Sequence, residues 1–177
     1  MAEGNEDALA TLYELHGGLI YRFSLRMVQD ESVAEEITQD VFLALLRQGH
    51  QFDPNVARLS TWLCGIARRL IWKHLERARR FKPLEASDDR PPGDAAGATD
   101  PGVLLSRKEA AIVVQRGIDR LPPDLREVLV LCELEELKYE DAAVALHIPI
   151  GTVRSRLYRA KRQLAALLQN ERSRSAT

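Results

Sequence analysis

The sequence has few of the residues from which metal sites and disulfide frameworks are built. Its 177 residues include only two cysteines and four histidines. The cysteines, Cys64 and Cys132, lie far apart within apolar helical patterns, and no CxxC pair occurs. Neither a disulfide framework nor a zinc site is therefore indicated, and we expect both thiols to be buried as small hydrophobic side chains.

The sequence also lacks the motifs of common catalytic sites. It has no glycine-rich phosphate loop, and no pair of acids stands beside a nucleophile. The histidines have no metal-ligand spacing; they are His16, His50, His74 and His147. We therefore predict no catalytic residue, no metal and no cofactor. The alternative is an enzyme or a metal sensor, and stoichiometric zinc in the purified protein would support it.

Long apolar runs are absent as well. No stretch reaches the roughly 18 to 20 apolar residues that are needed to cross a bilayer, and the opening sequence MAEGNEDALA is acidic. We therefore expect a cytoplasmic protein without membrane insertion. No alternation of apolar and polar residues is long enough to predict a strand, so the pattern favours an all-α fold.

The formal net charge of −1 conceals a strong segregation of charge. Residues 66–82 hold seven Lys or Arg against one acid, and residues 150–163 hold five against none. Acids are concentrated in residues 31–40 and in residues 84–100, where five acids accompany one Arg. This segregation indicates two basic surfaces suited to a polyanion, which the total charge alone does not suggest.

Residues 137–168 have the pattern of a helix-turn-helix. Two helical patterns are separated by a break of three or four residues. In the second helix one face is apolar, formed by Val153, Leu157, Ala160 and Leu164. The remaining faces are polar and basic, with Thr152, Arg154, Ser155, Arg156, Tyr158, Arg159, Lys161 and Arg162. A solvated surface helix is the alternative, but solvated faces usually mix charges, whereas this one suits the phosphate-lined major groove.

Two helical patterns open the chain. Residues 6–28 form one helix, or two if the chain breaks at Gly17-Gly18, and residues 32–46 form the next. The outer face of the second pattern is acidic and partly apolar, which suits a protein partner with a basic groove or helix. A solvent-facing charge pattern is the alternative.

A turn and a basic helix follow. Residues 53–55, Asp-Pro-Asn, predict a turn, and Ser60 is placed to cap the next helix. That helix interleaves Trp62 and Trp72 with Arg and Lys. Aromatic rings stack on unpaired bases while cations follow the backbone, so the pattern favours single-stranded nucleic acid. The alternative is an ordinary place in the core, which is the more frequent role of a Trp at helical spacing and which we favour for Trp62.

The chain divides at residues 82–103. This segment is rich in Pro, Gly, Ala and Asp and poor in large apolar residues, which predicts a flexible acidic linker. We therefore expect two small helical domains, at residues 1–81 and residues 104–170, and a frayed tail at residues 171–177. The second domain contains two further helices ahead of the helix-turn-helix.

Three segments together resemble the extracytoplasmic-function (ECF) branch of bacterial RNA polymerase sigma factors. In chain order they are AEEITQDVFLALL, TWLCGIARRLIWKHLERARR and PIGTVRSRLYRAKRQL. The resemblance covers nearly the whole chain, and three segments in order across a linker make it specific. It implies an alternative sigma factor that binds core RNA polymerase and promoter DNA, directs promoter-specific transcription initiation and is held inactive by a dedicated anti-sigma factor.

The resemblance also implies a role for each part of the chain. Residues 1–81 resemble sigma region 2, which docks on core polymerase and opens the minus-ten element; residues 104–170 resemble region 4, which reads the minus-thirty-five element. The implied polymerase-binding residues are Glu36, Gln39, Asp40 and Leu43. The implied minus-ten residues are Phe52, Asp53, Asn55, Arg58, Ser60, Trp62, Arg68, Arg69 and Lys73.

For the minus-thirty-five element the resemblance implies the polar and basic residues of the second helix-turn-helix helix, beginning at Thr152. Base edges are expected to be read by Arg154, Ser155, Tyr158 and Arg159. Phosphates are expected to be bound by Arg156, Lys161 and Arg162.

The sequence departs from the family pattern at five positions. Glu136, Lys138 and His147 replace the usual Gly, Ser and Gly. We expect a strained left-handed residue at His147 and a helix start weakened by about 1 kcal/mol at most. Arg69 and Lys73 replace the usual Asn and Asp, which alters the charge presented to the minus-ten element. A repressor or activator that binds duplex DNA without polymerase is the remaining alternative, and it leaves the acidic and Trp-bearing helices unexplained.

Overall fold

The computed structural model describes residues 3–81 and 101–175, with side chains described over residues 7–80 and 110–170. These residues are helical with no strand, which confirms the all-α prediction, and no helix among them is long and apolar enough to cross a membrane. Residues 82–100 of the predicted linker and residues 176–177 of the predicted tail lie outside the described residues. Residues 101–103 are helical, and so are residues 171–175, where a frayed tail was predicted. The helices are α1 (Glu3–Val28), α2 (Glu31–Gln48), α3 (Leu59–Phe81), α4 (Pro101–Asp119), α5 (Pro123–Leu129), α6 (Tyr139–Leu146) and α7 (Ile150–Ser175).

Helix α1 is continuous across Gly17-Gly18, so the break considered from the sequence does not occur. Gly17 is buried, and a Cβ atom there would lie 3.3 Å from the ring of Tyr13. That ring packs against Phe42 of α2, with 4.8 Å between the ring centroids. The missing side chain leaves room for the tyrosine ring, so Gly17 serves the packing of α1 on α2 rather than a turn.

The structure shows which residue caps α2, and it contradicts the cap predicted for α3. Asp30 caps α2, because its carboxylate accepts a hydrogen bond from the backbone N–H of Val33 at 3.1 Å. Helix α3 begins at Leu59, and the carbonyl of Arg58 already accepts a helical hydrogen bond. Ser60 therefore lies inside the first turn, and the prediction that it caps α3 is wrong.

Helices from both halves of the chain contribute to one hydrophobic core. It includes Phe23 of α1, Leu63 of α3 and Val128 of α5, all without solvent exposure. Both cysteines are buried in it and are not bonded to each other, as predicted. Loss of hydration on burial raises the pKa of the Cys64 thiol to about 12 and that of the Cys132 thiol to about 11.

The two halves pack directly on each other along α3 and α6. Gly65 of α3 faces the backbone of α6, where a Cβ atom on Gly65 would lie 3.5 Å from the carbonyl oxygen of Ala145. Ala142 and Ala145 of α6 are buried. Small residues on both helices thus allow a close approach, and the halves form one packed unit over the described residues.

The predicted helix-turn-helix consists of α6 and α7. His147 ends α6 in the left-handed conformation, with φ 51° and ψ 44°, which confirms the strain expected there. The backbone N–H of His147 donates to Val144 O at 3.2 Å, and that of Ile148 donates to Ala143 O at 3.1 Å. These two bonds form a Schellman motif, which satisfies the last carbonyls of α6 and sets the turn into α7.

The start of α6 lacks the usual support. Lys138 precedes the helix and makes no side-chain hydrogen bond to its first turn, as the sequence indicated. Glu136 adopts φ 54°, a left-handed conformation at the position where the family pattern has Gly. The backbone N–H of Leu137 donates to Leu131 O at 2.9 Å, which holds the segment against the preceding π-helical turn, Val130–Leu134.

The strain at His147 predicts the effect of two substitutions. We expect His147→Gly to raise the free energy of unfolding by about 0.5 to 1 kcal/mol, because Gly adopts left-handed backbone without a Cβ clash. We expect His147→Val to lower it by about 1 kcal/mol or more, since a β-branched residue is least tolerated there. Urea unfolding of the three proteins measures both changes. Equal destabilisation by Gly and Val would exclude backbone strain as the cause.

Candidate nucleic-acid interface

The outer face of α7 presents the predicted base contacts to solvent. Val153, Leu157 and Ala160 are buried against α5 and α6, which turns the opposite side of α7 outward. The side chains exposed on that side are Arg154, Ser155, Tyr158 and Arg159. Thr152 is half-buried, and its carbonyl accepts a hydrogen bond from Ser155 Oγ at 3.1 Å. A polar helix face behind a short turn has the geometry that enters a major groove.

The three predicted phosphate contacts have different surroundings. Arg156 is half-buried and faces acids of α5, with Nη1 3.4 Å from Glu127 Oε1. Lys161 Nζ lies 2.9 Å from Glu133 Oε1, and this hydrogen bond raises the pKa of the exposed amine. The guanidinium of Arg162 is exposed, 5.8 Å from the ring centroid of Tyr158. A phosphate would therefore compete with a carboxylate at Arg156 and Lys161.

The segment between α2 and α3 consists of a short 3-10 helix, Gly49–Gln51, followed by a compact turn. The Asp53 carboxylate accepts hydrogen bonds at 2.9 Å from both the backbone and the side-chain amide of Asn55, which confirms the turn. Phe52 is half-buried against Trp62, with 5.7 Å between ring centroids. Trp62 packs partly on the core, while Arg58 is exposed. The turn thus presents polar groups to solvent in front of a partly covered aromatic pair.

The basic helix α3 divides its cations between two environments. Arg69 and Lys73 are exposed, whereas Arg68 and Trp72 turn toward the second half of the chain. Arg68 donates to the Glu127 carboxylate from Nε at 2.9 Å and from Nη2 at 3.1 Å, and Trp72 Nε1 donates to it at 2.7 Å. Only part of the predicted minus-ten set is therefore available to solvent in this arrangement.

Sequence reasoning did not identify Glu127 and did not place Trp72 among the site residues. Glu127 is wholly buried, yet it stands in the run LREVLVLC. The sequence does contain a signal for Glu127, because an acid within an inward-facing apolar pattern is expected to be buried and to need a buried partner. The sequence offers no means of selecting that partner.

The predicted polymerase-binding residues lie together on α2. Ile37 and Val41 are buried on one side of that helix. The opposite side carries an exposed stripe, here called the acidic stripe, formed by Glu36, Gln39, Asp40 and Leu43. Leu43 is 45% exposed, and the nearby Leu46 is 49% exposed. Exposed leucines beside acids suit a protein surface that is both apolar and basic.

A second buried charge lies next to Glu127 in α5. Arg126 donates to the carbonyl oxygens of Met27 at 3.1 Å, of Leu121 at 3.0 Å and of Asp119. These carbonyls belong to the ends of α1 and α4 and to the turn after α4, where a cation is favoured by the helix dipole. Burial lowers the pKa of Arg126, while the charge of Asp119 opposes that change. Arg126 thus has a structural role in joining the two halves.

Two family models match the chain on either side of the linker. "Sigma-70 region 2" matches residues 12–81, and "Sigma-70, region 4" matches residues 111–164. The first match includes the acidic stripe, the turn and α3, and the second ends within α7.

Curated sigma factors align with most of the chain. The RNA polymerase sigma-H factor of Pseudomonas aeruginosa is 36% identical over 86% of this chain and 79% of its own length. The ECF RNA polymerase sigma-E factor of Escherichia coli is 33% identical over 71% of this chain and 69% of its own length. The ECF RNA polymerase sigma factor SigE of Mycolicibacterium smegmatis is 29% identical over 99% of this chain and 68% of its own length.

Two solved structures have the same fold at low sequence identity. The sigma factor RpoE of Bartonella quintana, solved with the anti-sigma factor NepR, has a TM-score of 0.71 at 22% identity and covers 90% of this chain and 96% of its own. CnrH, solved with the cytosolic domain of CnrY, has a TM-score of 0.68 at 22% identity and covers 96% of this chain and 92% of its own. The two family matches and the aligned relatives show that the chain belongs to the ECF family of RNA polymerase sigma factors.

Proposed function

We propose that this chain binds core RNA polymerase and recruits it to promoters by reading two DNA elements, without chemistry of its own. The observation that carries the proposal is the combination of three surfaces in one chain: the acidic stripe of α2, the turn with the basic helix α3, and the exposed basic face of α7. A repressor or activator acting without polymerase would use only the last of these. Because promoter DNA lies in the cytoplasm of a bacterial cell, this function implies a cytoplasmic protein.

The two halves divide this work in the proposal. Residues 1–81 act as sigma region 2, which docks on core polymerase and opens the minus-ten element. Residues 104–170 act as region 4, which reads the minus-thirty-five element. Residues 82–103 serve as the connector between them. The two separate matches to sigma-70 regions support this division.

At the minus-ten element the turn and α3 act together. An extruded base can be read on its pairing edge only outside the stack, and the exposed polar groups of Asp53 and Asn55 suit that role. The exposed Arg69 and Lys73 are placed to follow the backbone of the opened strand. Their positive charge replaces the usual Asn and Asp of the family, so phosphate attraction is expected to contribute more to binding here.

We also propose control by an anti-sigma factor. The two structures of the same fold were solved in complex with a second protein, the anti-sigma factor NepR in one case and the cytosolic domain of CnrY in the other. A partner of this kind would cover the acidic stripe, the outer face of α7, or both. Large apolar side chains are exposed on these two surfaces, Leu43 and Tyr158, and beside the acidic stripe, Leu46, and they support such a contact.

Run-off transcription with core polymerase tests the function directly. We expect the full chain to redirect core polymerase to a distinct set of start sites in a promoter library. The bound chain would place polymerase at promoters whose minus-ten and minus-thirty-five elements it reads. Core polymerase alone is the control. An unchanged choice of start site, with duplex DNA still bound, would support the repressor alternative.

The division of α7 into base and phosphate contacts predicts two different losses. Arg159→Ala should weaken holoenzyme binding by roughly 1 to 3 kcal/mol at particular base pairs, whereas Lys161→Ala should weaken all promoter sequences about equally. Titration of the holoenzyme with a set of single-base-pair promoter variants, at one salt concentration, measures both losses. Uniform losses from both substitutions would refute the assigned roles.

The acidic stripe predicts a loss of polymerase binding without a loss of fold. Leu43→Ala should weaken the complex with core polymerase by about 1 kcal/mol or more, because an exposed leucine would be buried at the interface. The matched control is Leu15→Ala, which removes a leucine that is 69% exposed on α1. Competition binding against the unmodified chain gives the affinities. Equal effects of the two substitutions would place the polymerase surface elsewhere.

A further inference from the structure

Four hydrogen bonds end on Asp53 in the turn between α2 and α3. Its side-chain Oδ1 accepts from the backbone N–H and from Nδ2 of Asn55, each at 2.9 Å. Its carbonyl oxygen accepts from the backbone N–H of Val56 at 3.1 Å and from that of Ala57 at 3.3 Å. Pro54 follows directly, and its ring fixes its own φ. The carboxyl group of Asp53 is therefore held in one position.

The second carboxylate oxygen of Asp53 has no partner. Asp53 is exposed, and no residue in the described part of the chain donates a hydrogen bond to Oδ2 or forms an ion pair with it. Formation of the turn accounts for Oδ1 only, because Asn or Ser forms the same turn without a charge. A carboxylate also repels the phosphates that Arg69 and Lys73 are proposed to follow. Oδ2 is thus an acceptor that neither the fold nor the affinity for DNA explains.

A large apolar side chain is exposed in the same turn. Val56 is 70% exposed, more than any other large apolar side chain within residues 7–80 and 110–170. Phe52, which precedes Asp53, is half-buried against Trp62. An unpaired base has an apolar face and a polar edge, and proteins bind it through groups of both kinds. The turn presents both kinds between Asp53 and Val56.

We propose that this turn selects an extruded base that carries an exocyclic amine and rejects thymine, with Asp53 Oδ2 as the acceptor for the amine. The proposal rests on the proposed function for the extrusion of a base at the minus-ten element, and it names the class of base that is taken. Val56 contacts the face of that base. Asp53 is therefore a specificity-determining residue, whose charge selects among bases although it lowers the affinity for phosphates.

The edge chemistry of the bases separates thymine from the others. Adenine, cytosine and guanine each carry an exocyclic amine, and an acid that accepts from the cytosine amine is a known pairing in DNA grooves. Thymine has no amine, and its single N–H lies between two carbonyl oxygens. A carboxylate at that edge faces two further acceptors, so thymine leaves the charge of Asp53 poorly paired.

Holoenzyme binding to synthetic promoters with a preformed minus-ten bubble tests this selection. The promoter is one that run-off transcription identifies, and each unpaired position of the non-template strand carries cytosine, adenine, thymine or deoxyuridine in turn. Deoxyuridine has the pairing edge of thymine without its methyl group, so its comparison with cytosine isolates that edge. At one position we expect thymine and deoxyuridine to bind about tenfold more weakly than cytosine and adenine.

Two substitutions at Asp53 remove the acceptor while keeping the turn. In Asp53→Asn the amide oxygen still accepts from Asn55, so an amide N–H2 group takes the place of Oδ2. In Asp53→Ser the hydroxyl accepts from Asn55 and no second oxygen remains. Both should reduce the preference for cytosine over deoxyuridine at that position to about twofold or less. The control is Asp7→Asn, which removes one charge from an exposed residue of α1 and should keep the full preference.

A substitution of the apolar side chain separates the face of the base from its edge. Val56→Ala should weaken binding by about threefold for every base at that position, because the loss of an apolar contact does not depend on the polar edge. The ratio of affinities for cytosine and deoxyuridine should stay the same. A changed ratio would contradict the division of roles between Val56 and Asp53.

The outcomes distinguish the base selection from the proposed function. Run-off transcription without redirected start sites would refute the sigma-factor function itself. Redirected start sites with no thymine-sensitive position, or a preference that survives both Asp53 substitutions, would overturn the selection alone. Weaker binding of core polymerase by the Asp53 variants, with the preference unchanged, would place the turn on the polymerase instead. Circular dichroism checks folding, and the second Asp53 variant decides where the first does not fold.

Discussion

The wholly buried carboxylate of Glu127 is the constraint on which the arrangement of helices depends. A charge without access to water must be surrounded by donors, and here the donors are Arg68, Trp72 and Arg156. They come from α3 and α7, so those helices meet α5 at one point. Loss of a single partner would leave part of that charge uncompensated, at a cost of several kcal/mol. The apolar side chains around Glu127 must therefore pack in a way that keeps α3, α5 and α7 together at this point.

Its neighbour Arg126 extends the constraint in the opposite direction. Helix α5 has only seven residues and is too short to be stable by itself. Arg126 fixes it to the carbonyls that end α1 and α4, while Glu127 fixes it to α3 and α7. Two adjacent residues of opposite charge thus hold one short helix against elements from both halves. The pair lies at the junction between the proposed polymerase-docking half and the proposed minus-thirty-five reader.

Much of the fold and of the site surface could be predicted because it depends on local chemistry. The apolar period places Val153 and Leu157 inside, and the exposed row on α7 follows from that spacing alone. The left-handed residue at His147 could also be anticipated, because the family pattern has Gly at that position. Gly17 was harder to interpret, because a glycine that makes room for Tyr13 has the same sequence signal as one that breaks a helix. The prediction that Ser60 caps α3 was wrong for a similar reason. The sequence signal for a cap did not fix the residue at which the helix begins, which is Leu59.

The sequence by itself determined the helices, the helix-turn-helix, the segregation of charge and the family, because each depends on residues close together in the chain or on order along it. Only the tertiary structure decided which charges face solvent and which face one another. Arg68 and Arg69 are adjacent and chemically identical, yet one is held by Glu127 and the other is exposed. The physical reason is that a buried ion pair joins residues 59 positions apart, and no local pattern specifies which acid a given arginine meets across a helix interface.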